Sequence, residues 1–325
     1  MMNKTYYSEI LNQYLINIDF YQNKKKCIEY SDGKSYNSMS DLYRSKITLL
    51  PWGKQPSLEM LEDVCLLNIY PAEEYLFPKN MPPFINQFNK LKILKMPLVY
   101  ALSLRSDSLP ESVEHLILIN ELKQTNNLGK NKKERIQNLL FPNESFPNIK
   151  SLNLITLSSA SMIADGYLNI NYSRFPNLEF LRCAVNSKDK FLFLESLTNL
   201  KHLWVSIGQN VNVFEQIKSP IISLDIDGAN VGIEFQKISK IPSLEIIRIN
   251  SCCDEVDCRE FFKLPKLKEI ILLNSKGIKN IEALLEMPTL KSLDVLDCKG
   301  ALTKQQKKIF ENNLDKFERL SIDYA

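Results

Sequence analysis

Glycine is scarce in this chain: 9 residues in 325, about 3% where ~7% is usual. That excludes collagen-like and linker-rich architectures. It also weighs against loops that cradle phosphates, and the pattern G-x-x-x-x-G-K-[ST] is absent. Histidine is scarcer still, with two residues, too few for His-based metal sites or proton shuttles. No run of ~18 apolar residues occurs, so no membrane partner or span is expected. The stretch Met1 to Glu9 lacks the apolar core of a secretory signal. An excess of one charge is missing too. Lys and Arg total 41 against 38 Asp and Glu, a net +3, too even to advertise a nucleic-acid surface. Cysteine is present, but as an odd set at positions 27, 65, 183, 252, 253, 258 and 298. Irregular spacing of that kind suits reduced thiols better than a disulfide framework, so a cytoplasmic location is expected.

What is present is a soluble, folded composition, 44% hydrophobic and 24% charged, and long enough for two domains or one repeat array. A frame of apolar, two residues, apolar, one residue, apolar recurs along it. It reads Leu178, Leu181 and Cys183 after Pro176; Leu244, Ile247 and Ile249 after Pro242. It reads Leu267, Ile270 and Leu272 after Pro265; Leu290, Leu293 and Val295 after Pro288. Ile149, Leu200 and Ile221 open further copies, and looser ones begin at Val64, Leu91, Val113 and Phe317. From Ile149 onward, first positions lie 29, 22, 21, 23, 23, 23 and 27 residues apart; earlier gaps are 27, 22 and 36. A fixed period over 170 residues marks a repeat architecture.

The frame and its period resemble the leucine-rich repeat family, whose copies run ~20–29 residues and turn on a small or amide residue. That residue falls at Asn186, Gly208, Ala229, Cys252, Ser275 and Cys298, with Leu157 the exception. Near-three spacing at Ile278, Ile281, Leu284, Met287 and Leu290 resembles the short class found in protein phosphatase regulatory subunits. The resemblance covers residues from about 60 and implies an α/β solenoid with a curved parallel sheet on its concave side. Residues 1–55 fit no copy. Tyr7, Ile10, Leu11, Tyr14, Leu15 and Ile18 lie at helical spacing, predicting an amphipathic N-terminal cap ahead of a solenoid over 56–325. An insertion is expected near 120–145, carrying Lys123, Lys130, Lys132, Lys133 and Arg135 as a solvated loop or a basic arm. Thr303 and Gln306 read as a capping box opening a C-terminal helix, with a last strand near 317–322.

Period-two alternation turns the fourth and sixth positions of each copy inward and the third, fifth and seventh outward. The outward list predicts one patch of Phe180, Arg182, His202, Trp204, Asp225, Asp227 and Arg248, with Asp294 farther along. An aromatic anchor among Arg and acids has the composition of an interaction hot spot. The bland readings are a solvated face, or a Trp204 covered by an N-terminal segment. Acids at Asp225, Asp227, Glu269, Asp294 and Asp323 suit a basic protein partner and argue against nucleic acid. A triad of His202, Ser223 and Asp225 can be drawn on paper, yet it would also need an oxyanion site and a buried orienting acid. Cys252, Cys253 and Cys258 lack the paired spacing that zinc takes.

The expectation is therefore a non-enzymatic module, without cofactor or metal, that captures a protein on its concave face as an inhibitor, immunity-type protein or adaptor. A secreted bacterial effector acting on a host protein is the competing reading. A hydrolase built on the solenoid is the third.

Overall fold

A computed structural model gives the architecture. It describes residues 5–14, 27–33, 37, 44–45, 47–70, 81–102, 104–120, 141–142, 144–156, 170–185, 192–207, 214, 217–228, 238–252, 255–298, 300 and 302–322. The basic segment from Lys123 to Arg135, and Cys253 and Asp323, lie outside these residues. The helices described over their full length are α1 (Tyr6–Gln13), α2 (Leu58–Asp63) and α3 (Lys304–Glu311). The chain divides into two compact units: Tyr14–Ser161 with Tyr167–Phe180, and Met1–Gln13 with Met162–Gly166 and Leu181–Ala325.

In the N-terminal unit the strands are β1 (Cys27–Ser31), β2 (Thr48–Pro51), β3 (Leu66–Ile69), β4 (Ile93–Pro97), β5 (His115–Asn120) and β6 (Ser151–Thr156). They are parallel and ordered β6-β5-β4-β3-β1-β2. The segment expected to be a helical cap thus supplies two sheet strands, and β1 lies between β3 and β2. Its sequence hides this because Ile28 fills the inward slot opposite Leu67 without the flanking leucines of the frame. The inward row Ile28, Leu67, Leu94, Leu116 and Leu152 is fully buried. Between strands, Phe141, Phe146 and Phe175 form an edge-to-face and stacked cluster with centroids 4.8–5.6 Å apart.

In the C-terminal unit the period is nearly constant and the coils are correspondingly uniform. Its main sheet holds β7 (Phe180–Val185, from Leu181 on), β8 (His202–Ile207), β9 (Ser223–Asp227), β10 (Ile246–Asn250), β12 (Glu269–Leu273), β14 (Ser292–Leu296) and β15 (Arg319–Ile322), in that spatial order. Each pairing is in register one repeat apart, Leu224 to Ile247 to Ile270 to Leu293 to Leu320. The second position of each copy repeats one bond: Glu245 N–H to Ile222 O, Lys268 to Glu245, and Lys291 to Lys268, each 2.8 Å. On the return side, β11 (Val256–Asp257) pairs with β13 (Ile278–Lys279), and 3-10 helices span Cys258–Lys263 and Ile281–Glu286. The near-three spacing read from the sequence has its cause here. A 3-10 helix turns every 3.0 residues, so Ile281, Leu284 and Met287 share one face.

The turns after β10, β12 and β14 are made without glycine. Ser251, Asn274 and Asp297 take positive φ of 58°, 43° and 54° at 23-residue intervals. Each is followed by the small residue the frame predicted, Cys252, Ser275 or Cys298, buried in the coil. These stack into a ladder in which Cys252 N–H meets Ser275 Oγ and Ser275 N–H meets Cys298 Sγ, both at 3.4 Å. Helix α3 begins on the capping box, Gln306 N–H on Thr303 Oγ1 and Thr303 N–H on Gln306 Oε1, and buries Phe310. Recurring frame, parallel register and inward apolar rows shared from coil to coil make the fold the α/β leucine-rich repeat solenoid.

Candidate functional site

The outward rows are where the sequence placed recognition, and the register puts them there. In the C-terminal unit the fifth-position row runs Arg182, Trp204, Asp225, Arg248, Ile271 and Asp294, with Trp204 opposite Asp225 and Arg248 beyond it. Exposure differs from expectation. Asp225 is 1% exposed, Glu269 0% and Asp294 3%, although all three point to the outward side. Helix α1 accounts for the first two. Its Tyr7 hydroxyl donates to Asp225 Oδ2, and the Tyr7 N–H donates to Glu269 Oε2 at 2.7 Å. Tyr6 OH donates to Glu318 Oε2 at 2.7 Å, while Tyr7, Ile10 and Leu11 are buried.

Each of those acids also has a partner within the sheet. Arg248 Nη1 donates to both Asp225 oxygens at 2.7 and 2.9 Å. Arg319 donates to Asp294 through Nε and Nη2 at 3.0 and 3.1 Å. Ser292 Oγ donates to Glu269 Oε1 at 3.0 Å, and Asn250 Nδ2 to Asp227 Oδ1 at 2.9 Å. Burial pushes the Asp225 carboxyl up to about 6 against the opposing pull of Arg248 and Tyr7, so at neutral pH the pair is ionised. Burial likewise raises Glu269. The acidic stripe that suited a basic partner is thus largely consumed inside the molecule.

Arg182 and Trp204 are arranged differently. The Arg182 guanidinium lies over the Trp204 ring, 3.6 Å from its centroid. Arg248 approaches the Trp204 ring at 5.7 Å and the Tyr7 ring at 5.8 Å. Both Arg182 and Trp204 are half-buried. Among the described residues no hydrogen bond or ion pair reaches Arg182, and the buried Trp204 Nε1 has no acceptor. Burial holds the Arg182 guanidinium below its usual range, with Asp225 pulling the other way.

The remaining predicted residues fall elsewhere. His202 is buried opposite Ser223 in the third-position row. Asp225, the acid a triad would need, is taken by Arg248 and Tyr7. Phe180 belongs to the N-terminal unit and is 2% exposed, its ring 5.3 Å from that of Tyr14, whose hydroxyl bonds Glu179 at 2.8 Å. It is a covered packing residue, not an open anchor. Among the described residues no cluster of three His, Cys, Asp or Glu could hold a metal, and no helix is long and apolar enough to cross a membrane. Sequence reasoning missed Tyr7 as part of this site. The signal was Ile246 and Ile271, apolar residues at outward positions, which need a cover and lie buried.

No protein-family model matches the chain, and no curated protein matches it. Solved structures of leucine-rich repeat proteins resemble it in fold. A leucine-rich repeat protein of Leptospira interrogans is 15% identical, covering 82% of this chain and 86% of that one, at a TM-score of 0.37. TLR13, solved as a complex with ssRNA13, is 15% identical over 86% of this chain and 39% of that one, at 0.46. The internalin InlF of Listeria monocytogenes is 13% identical over 87% and 82%, at 0.37.

Proposed function

We propose that this chain is a non-enzymatic protein-binding module, acting as an inhibitor or adaptor. Its recognition surface is the corner of the C-terminal unit built by Arg182 and Trp204. One observation carries the reading: the outward row satisfies its acids internally and leaves a stacked, half-buried Arg–Trp pair without a hydrogen-bond or ion-pair partner among the described residues. Arg and Trp are the residue types that dominate binding energy at protein interfaces, because each offers a large, pre-organised contact. Cys27 and Cys258 are free thiols, which supports a reducing, cytoplasmic setting.

The test is a pull-down from cell lysate with mass spectrometry, wild type against Arg182→Glu/Trp204→Ala. A protein retained by the wild type and lost by the folded double variant supports the reading. Equal capture by both moves the interface off this corner. Against the captured protein, Trp204→Ala alone is expected to lose about 2–4 kcal/mol of binding energy by titration calorimetry. Inhibitor and adaptor then separate on whether the captured protein loses its own activity.

A further inference from the structure

We infer that the Arg182–Trp204 corner is a recognition site for a carboxylate, supplied by a Glu or Asp side chain in an acidic segment of the partner. The inference rests on the protein-binding reading and gives the partner's chemistry a sign. It reverses the basic partner that the acids suggest from sequence alone.

A guanidinium offers five N–H donors in a planar fork, and an indole offers one. Stacking on Trp204 fixes the plane of the Arg182 fork and shields one of its faces, yet it satisfies none of those N–H groups. The neighbouring carboxylates bond other residues and not Arg182. Asp225 receives Arg248 and Tyr7, and Asp227 receives Asn250. Among the described residues, this corner holds a half-buried cation that no hydrogen bond or ion pair reaches and a buried indole N–H without an acceptor. Partial burial strengthens whatever acceptor arrives, because less water competes for the fork. The complement of a pre-oriented planar fork is a planar anion able to take two parallel bonds, and a carboxylate is that group. Arg248 shows the alternative within the same row: its Nη1 has found a carboxylate, that of Asp225.

The probe is amide-capped hexaglutamate, titrated into 15N-labelled full-length protein at 0.15 M salt. The two indole N–H resonances, from Trp204 and Trp52, are followed. Trp52 lies in the N-terminal unit with Nε1 donating to Tyr30 O at 3.3 Å, so it reports folding. The expected result is a saturable shift of the Trp204 resonance with Trp52 unmoved. Affinity should fall at least about tenfold in Arg182→Gln, the loss of one charge-assisted pair. Arg182→Lys keeps the charge without the fork and should also bind more weakly. No shift overturns the inference, as does equal binding by Arg182→Gln or Arg182→Lys. So does a Trp204 shift with inorganic phosphate or with hexaserine bearing a free terminus where hexaglutamate gives none. A partner captured through this corner while hexaglutamate stays silent would leave the protein-binding reading standing and remove only its acidic chemistry. Hexaglutamate binding without any captured protein would do the reverse.

Discussion

His115 shows how the outward rows set the chemistry of single residues. It sits on β5, 6% exposed, with Nδ1 2.8 Å from Ser151 Oγ, and burial lowers its pKa to about 4 from 6.5. The unfolded chain then binds a proton between pH 6.5 and 4 that the folded chain refuses. Stability present above pH 6.5 is lost as pH falls through that window, by roughly 3 kcal/mol from this group. Asp225 acts with the opposite sign. Its carboxyl is raised to about 6 from 3.8, so the folded state gains stability as pH drops through that range. Comparing urea midpoints of wild type and His115→Gln at pH 7.5 and 4.5 isolates the histidine, and the variant should lose less stability on acidification. Tyr7 makes a second residue-scale test. Tyr7→Phe keeps the ring beside Arg248 and removes the donor to Asp225, so urea denaturation should show a loss of about 1–3 kcal/mol.

At the scale of elements, strands and their register were readable because each copy spells its own inward positions. Leu290, Leu293 and Val295 need no information from outside the repeat to select a face. The cap α3 was readable for the same local reason, a capping box within Thr303–Gln306. Helix α1 was half readable. Tyr7, Ile10, Leu11 and Tyr14 mark its apolar face, but its docking partners Asp225 and Glu269 are 218 and 262 residues away, and no period reports such a distance. That is why the outward list was right in register and wrong in exposure. The corner turns supply an independent prediction. Ser251 holds φ of 58°, which costs a non-glycine residue about 1–2 kcal/mol. Its side chain contributes bonds to Asn250 and Asn274 at 3.2 and 3.1 Å near the surface. Ser251→Gly should raise stability by about 0.5–1 kcal/mol in thermal unfolding, the relief of strain exceeding the loss of those contacts.

For the molecule as a whole, the inward residues of each coil are a repeating unit of stability. Leu224 and Leu293 are fully buried, and replacing either by Ala should cost about 2–5 kcal/mol through the cavity it leaves. In a stack, such damage is felt first by the coil that carries it and its immediate neighbours. The cysteines make that locality measurable. Cys27, Cys183, Cys252, Cys258 and Cys298 are buried, and burial lifts the Cys27 thiol to about 12, so almost none of it is thiolate at neutral pH. The chain therefore carries a set of built-in clocks. Each thiol reacts with an alkylating reagent only when its own coil opens, so the order in which they acquire mass traces the route by which the stack frays. Leu293→Ala should speed the clock at Cys298 well before it speeds the one at Cys27.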